Sequence, residues 1–475
     1  MKRTGNVILS GVLGLTLCAC STASESAEAP SVSASATPLA TEIAEMISKG
    51  ITKDDIQVSE TLENSEDGGH AILADGTNGS YSGIAVNKTG ESSGDEADFY
   101  GENAAVFATN GGTLNLTDMV ITTNGTHANA VFSYGEGTTV SISNSVIETS
   151  GNCSGGIMTT GGGTMNAENL NIHTTGNSSA AIRSDRGGGT VTVNGGQYVT
   201  DGKGSPVIYS TADITVSDAL LTSTASQGVV VEGQNSVTLN NVELTADNNT
   251  KNSDKSDWYQ AVMIYQSMSG DAAEGLSSFT MNGGTLTNNN GDIFFVNNTV
   301  TEIALSEAEI INLDEEGVFL RAAAAGWGNE GSNGGQVTLT ADHQEINGDI
   351  LADSVSHVNL ILNNTSVFTG AVNPDGEEGE VYVELDESSV WVLTSDSYIT
   401  SLTCDADQID LNGHTLYIRG EAYDGSASEG EMIEAEVSSS DSHGPGDMPQ
   451  GGMGKPEGTP PEGHDGAMPP EKPGN

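Results

Sequence analysis

The chain has 475 residues with 61 Gly, 8 Phe, 3 Trp and 17% charged residues, too few bulky aromatics to fill a conventional globular core of that size. Its 66 acidic residues against 14 basic ones give a formal charge of −52, a field that repels nucleic acid, anionic lipid headgroups and polyuronate chains alike. Nucleic acid is thereby excluded as a partner, and the acidic surface reads as a solvated extracellular face, some of whose carboxylates are candidates for Ca²⁺.

In chain order, residues 1–19 carry Lys2 and Arg3 and then the apolar run VILSGVLGLTLCA, a secretory leader too short to span a bilayer permanently. Leu17-Cys18-Ala19-Cys20 resembles a bacterial lipobox, which implies cleavage before Cys20, lipidation of its sulfur and a membrane anchor at the extracytoplasmic face of the cell envelope. The other reading is an ordinary secretory signal with an incidental cysteine. Residues 20–38 are a Ser/Ala/Thr/Pro tether without periodicity. Within the next segment, 39–60, the run LATEIAEMISK places Leu39, Ile43, Met46 and Ile47 on one face with Gly50 as the stop. It is predicted to be a capping helix that plugs the first turn of a solenoid, because a solenoid end is an unpaired edge.

Residues 61–437 are predicted to form that solenoid, an all-β parallel β-helix of about 14 turns. Between residues 104 and 246 one unit is written about six times, and Val106, Val131, Ile157, Ile182, Val207 and Val230 recur about every 25 residues. Alternating pairs such as Leu114/Leu116, Val140/Ile142, Val191/Val193 and Val237/Leu239 have the two-residue period of strands with one buried face. Two positions after each pair stands Asp118, Asn144, Asn169, Gly195, Asp218 or Asn241, a column that tolerates left-handed backbone and so predicts one repeated bend. A lone turn cannot offset its ordering entropy, whereas stacked turns share their hydrogen bonds and buried area.

Past residue 246 the period is broken by the insertions ADNNTKNSDKSDWYQ, SMSGDAAEGLS and AAAAGWGNEGSNGGQ, which are expected to project from one edge of the stack beside its binding face. They flank a strand column whose outward parity reads Phe107, Phe132, Met158, Arg183, Ile208, Val231, Met263 and Phe295, an apolar stripe at the surface or beneath the loops. Trp258, Tyr259, Tyr265 and Trp327, with Arg183 nearby, are the candidate ligand-binding residues, since aromatic faces with amide and hydroxyl partners suit neutral glycans. Simple packing of the loops onto the stripe is the competing role. Residues 438–475 hold eight of the twelve prolines and are predicted to be a disordered tail.

Turns of this length with Asn/Asp/Gly bends resemble the right-handed parallel β-helices of the pectin-lyase-like superfamily, which implies an architecture and no particular activity. Trp391-Val392-Leu393-Thr394, followed by Ser397, Ile399 and Leu402, is similar to the last turns of autotransporter passenger domains of the pertactin-type adhesins. The superfamily's lyases use an Asp-held Ca²⁺ and a basic groove, for which this chain offers Arg183, Arg186 and the distant Arg321; its hydrolases use paired Asp residues with a Gly-His-Gly loop, of which only Asn412-Gly413-His414-Thr415 is a fragment. Gly90-Glu91-Ser92-Ser93-Gly94 matches a nucleophile-elbow string but is not followed by an evident helix. The eight histidines show no metal-ligand spacing and read as surface or turn residues.

Asp375 and Glu377 in one acidic turn, and Asp405 and Asp407 in another, are the candidate Ca²⁺ ligands, without a complete binding loop. Cys153 and Cys404 are separated by about ten turns, roughly 45–50 Å at the strand spacing, so they are expected to be free thiols. The resulting expectation is a non-catalytic, adhesin-like or glycan-binding envelope lipoprotein, with neutral glycans or surface proteins as partners. The alternatives are a polysaccharide-active lyase or glycoside hydrolase and a purely structural surface spacer.

Overall fold

The computed structural model describes residues 50–435. The leader with Cys20, the tether, the helix predicted at 39–49 and the tail from 438 lie outside the described residues. Within them the chain is an all-β parallel β-helix, with an eighteen-stranded and an eleven-stranded sheet running along the stack and two smaller sheets toward its C-terminal end. Each repeating turn has three limbs. Thr139–Thr149 carries two of them on either side of Asn144, and Ile157–Thr160 is the third; the next turn repeats the plan as Gly163–Thr174 and Ile182–Ser184. The strand, bend and strand read from the sequence are the first two limbs, and the column of recurring aliphatic anchors is a third strand in its own right.

Stacking is parallel and in register. Val140 pairs with Met165 and Met165 with Val191 on the first limb, Ile147 with Ile172 and Ile172 with Tyr198 on the second, and Ile157 with Ile182 and Ile182 with Ile208 on the third. These inward positions are buried along the whole axis. In these turns the thin interior is filled by aliphatic side chains repeated at one height, with Phe279, Phe294, Phe319, Phe368 and Trp391 taking such places in later turns, and Tyr198 is accommodated in an Ile/Leu column by donating its hydroxyl to the Gly195 carbonyl at 3.2 Å.

The bend column is left-handed at every predicted position, with φ of 54° at Asp118, 46° at Asn144, 50° at Asn169, 68° at Gly195, 54° at Asp218 and 52° at Asn241. The side chains then form a ladder between turns: Asn169 Nδ2 donates to Asn144 Oδ1 at 2.8 Å and Asn241 Nδ2 to Asp218 Oδ1 at 2.7 Å. After Gly195 the chain passes so close to the turn before it that a Cβ on Gly196 would lie 2.2 Å from the Leu170 carbonyl oxygen, which leaves room for glycine alone.

Two registers read from the sequence are corrected by one residue. Ile208 and Val229, not Val207 and Val230, occupy the inward column with Ile182. The outward column consequently runs Phe107, Phe132, Met158, Arg183, Tyr209, Val230, Met263, Phe295 and Arg321, so Ile208 and Val231 do not belong to the stripe. Three consecutive β-branched residues at 229–231 carry no parity of their own, and a one-residue slip exchanges the two faces of a strand.

The entry to the described chain runs along the side of the coil. Lys53 Nζ pairs with Glu148 at 2.6 Å and Asn171 Nδ2 donates to the Ile51 carbonyl at 2.9 Å, so residues 51–53 lie along the flank of turns that form much later in the chain. At the other end Leu416–Ile418 pairs antiparallel with Glu421–Ala422, and Cys404 bridges antiparallel to Ser428, so the chain doubles back and occupies the edge of its own last turns.

Candidate functional site

The site is built at the corner where the second limb passes into the third. Four successive turns write this corner as Gly125-Thr-His127-Ala, Gly151-Asn-Cys153-Ser154, Gly176-Asn-Ser178-Ser179 and Gly202-Lys-Gly204-Ser205. Each serine hydroxyl donates to the glycine carbonyl one turn back, Ser154 to Gly125 at 2.9 Å, Ser179 to Gly151 at 3.1 Å and Ser205 to Gly176 at 2.9 Å. The same hydroxyls accept from the backbone N–H of Ala128, Ser154 and Ser179, each at 2.9 Å. The buried corner is thus satisfied from both sides, and its third residue is forced left-handed, with φ of 55° at His127, 54° at Cys153 and 54° at Ser178.

Over this corner and the neighbouring eleven-stranded sheet lie the insertions. One of them, residues 89–105, is not among the insertions read from the sequence, and it contains the short helix Asp95–Phe99. That helix does follow Gly94, contrary to expectation, yet Ser92 donates its hydroxyl to Glu102 at 3.0 Å, and a helix of five residues after an irregular stretch is not the strand-turn-helix of a nucleophile elbow. Arg186 clasps two insertions at once: it donates to Asp95 at 2.8 Å and to Asp271 at 2.6 Å and lies 3.7 Å over the Phe99 ring. Beneath them Phe107, Phe132 and Met158 are buried although they point away from the core, and Val230, Met263 and Phe295 are buried in the same way farther along. The outward stripe is a covered surface.

Arg183 and Tyr209 interrupt that stripe between its two apolar stretches, and there the cover opens into a groove with two lobes. The polar lobe, about 280 Å³, is lined by Asp98, Cys153, Arg183, Asp185 and Asp271. Arg183 is 9% exposed and donates from Nη2 to Asp185 at 2.8 Å and to Asp98 at 3.3 Å, while Nη1 is buried without a partner. Burial raises the Asp185 carboxyl above the usual range despite the neighbouring guanidinium. For Asp98 burial acts in the same direction but is outweighed by His127 and Arg183, and its carboxyl is held below the usual range.

The aromatic lobe, about 130 Å³, brings all four predicted aromatics together. Trp258, Tyr259, Tyr265 and Trp327 line it with the amide side chains of Gln227 and Gln260. Three of the rings are also held from behind. Trp258 lies between Phe295, 5.5 Å away, and the Arg321 guanidinium at 4.9 Å, which is itself fixed by Asp292 at 2.6 Å; Trp327 packs on Tyr265 at 5.2 Å. Tyr209 and Tyr265 both donate their hydroxyls to the buried Glu232 carboxylate, the latter at 2.9 Å, and burial, reinforced by that carboxylate, raises both phenols well above the usual range. Tyr209, Pro206, Gly204 and Asn252 line both lobes, so the groove is continuous across them.

Placement of the other predicted residues is mixed. Arg183 lies in the groove, in the polar lobe. Asp375, Glu377, Asp405 and Asp407 belong to no larger cluster: among the described residues the single group of three or more His, Cys, Asp or Glu side chains with converging ligand atoms is Asp98, His127 and Cys153. His127 and Cys153 are invisible to a search along the chain because their signal is a column, the third residue of consecutive Gly-x-x-Ser/Ala corners, and not a spacing in sequence. Both Cys153 and Cys404 are free. No protein-family model, curated protein or solved structure matches this chain.

Proposed function

We propose that the protein is a binding protein of the bacterial cell envelope, anchored through lipid at Cys20, whose β-helix presents a groove for neutral glycans. The observation that carries this reading is the convergence of Trp258, Tyr259, Tyr265 and Trp327 with Gln227 and Gln260 in one lobe, continuous with a polar lobe across Tyr209. Rigid aromatic faces stack on the apolar faces of sugar rings, and amides and carboxylates pair with their hydroxyls. The ligand is neutral because Asp98, Asp185 and Asp271 surround the second lobe and the whole chain carries −52. At about 130 Å³ the aromatic lobe takes the edge of a ring, below the usual volume for an engulfed small molecule, and a chain laid along both lobes makes better use of it. In this reading the pectin-lyase-like architecture serves as a scaffold for recognition.

Glycan-array screening of the whole chain, followed by titration of the best neutral oligosaccharide, tests the proposal. Tyr259→Ala is expected to weaken binding at least tenfold with unchanged thermal unfolding, and Trp327→Ala to weaken it as much at some cost in stability, since Trp327 packs on Tyr265. Loss of stability without a change in affinity would make these rings loop packing only, and no glycan binding at all would favour a structural spacer. Trp258→Ala is the less clean variant because Trp258 also supports Phe295 and Arg321.

A further inference from the structure

His127 and Cys153 hold the same place in successive corners, both in the left-handed backbone that the corner imposes on its third residue. The Asp95–Phe99 helix adds Asp98, and one ligating atom from each of the three lies within 4.8 Å of the others. Nδ1 of His127 is buried and has no hydrogen-bond partner, although Asp98 Oδ1 is 3.4 Å away. That separation does not serve a hydrogen bond here, yet it is the spacing of two ligand atoms on a tetrahedral ion with bonds of about 2.0–2.2 Å, which stand about 3.3–3.6 Å apart.

We propose that Asp98, His127 and Cys153 are a binding site for a transition-metal ion of the Zn²⁺ class. A thiolate with an imidazole and a carboxylate selects such an ion over Ca²⁺ and Mg²⁺, which take oxygen donors. The charges close: the thiolate and the Asp98 carboxylate neutralise a dication, and Arg183 with Asp185 forms a neutral pair beside them. Arg183, 3.3 Å from Asp98 Oδ1, is a positioning residue for that carboxylate. Burial, together with nearby Asp98, holds the Cys153 thiol above its ordinary pKa, so metal entry breaks the S–H bond, releases the proton to solvent and forms a metal–sulfur bond without electron transfer. Three protein ligands leave one tetrahedral position, and Cys153 lines the polar lobe, where water or a groove ligand completes the set. The site ties the insertion at 89–105 to two successive turns and does not depend on the glycan reading.

The test uses the whole chain with Co²⁺ and Zn²⁺ alone. Co²⁺ is expected to give a thiolate-to-cobalt charge-transfer band that one equivalent of Zn²⁺ removes and excess Ca²⁺ does not. Zn²⁺ should slow iodoacetamide alkylation of Cys153, followed by peptide mass spectrometry, at least tenfold. Cys153→Ser and His127→Ala should abolish the band, and Asp98→Asn should weaken Zn²⁺ at least roughly tenfold. A band that persists in Cys153→Ser, or the absence of both band and protection in the unmodified chain, overturns the proposal, as does displacement by Ca²⁺, which would place the ion on surface carboxylates. The alkylation arm needs no variant, so a substitution that fails to fold leaves the test intact.

Discussion

The two long sheets face solvent in opposite ways. Outside the first limb of the eighteen-stranded sheet the residues of the regular turns are short and polar, with Thr139, Thr164 and Thr190 in one column and Ser141, Asn166 and Thr192 in the next. Outside the eleven-stranded sheet stand Phe107, Phe132, Met158, Arg183, Tyr209 and Phe295, roofed by insertions. The interior is the same for both, so stacking alone demands nothing of the outward parity. The outward aromatics Phe107, Phe132 and Phe295 stand where inserted loops bury them, whereas Leu73 at the start of the same column is half exposed, and the groove lies at the break in that cover.

The strongest way to break this contrast is to treat an outward residue as core. Phe294 points inward and Phe295 outward, and both are fully buried. Phe295→Ala is expected to cost about 3–5 kcal/mol in chemical denaturation, as for a core phenylalanine; a cost under about 0.5 kcal/mol would show a bare face there. Next in size is the clasp. Arg186→Ala should cost about 1–2 kcal/mol and raise hydrogen exchange within 89–105 and 266–275 while strand amides stay protected, with Arg186→Lys recovering only part because the forked donation is lost. Equal loosening of the strands would mean that the roof and the coil are one unit.

Smaller still is the response to acid. Burial lowers the pKa of His70 beneath the cover, where its Nδ1 lies 2.7 Å from the Ala104 carbonyl and Lys88 and Glu102 act in opposite directions. Burial also lowers that of His357 on the other sheet against the pull of Glu380. Both are favoured neutral when folded, so their contribution is complete above an unfolded pKa of about 6.5 and declines as pH falls below it. Melting between pH 7.5 and 5.5 should drop by on the order of 2 °C from these groups, and His70→Gln with His357→Gln should flatten it. Smallest is Thr192→Ala on the exposed polar face, expected within about 0.5 kcal/mol of the original.

Legibility followed periodicity. Asn144, Asn169 and Asn241 announced a left-handed bend because each precedes a new apolar pair and is a residue type that accepts that backbone. The four aromatics were legible as a set because they sit in or beside segments that break the period. Tyr209 and Val230 were misread by one residue because Val207 and Ile208, like Val229, Val230 and Val231, are consecutive β-branched residues that alternate nothing. Asp98 was not legible at all: it joins His127 and Cys153 only because a five-residue helix in an insertion lies across turns that form later in the chain.

The order of residues alone determined the repeat, its bends and its thin aliphatic interior, since each follows from a pattern local to one turn and renewed in the next. Tertiary structure decided which outward side chains are covered, where the groove opens and which Asp meets which Cys and His. Those contacts join insertions to distant turns, and no periodic signal along the chain encodes a distance between parts that meet only after the coil has formed.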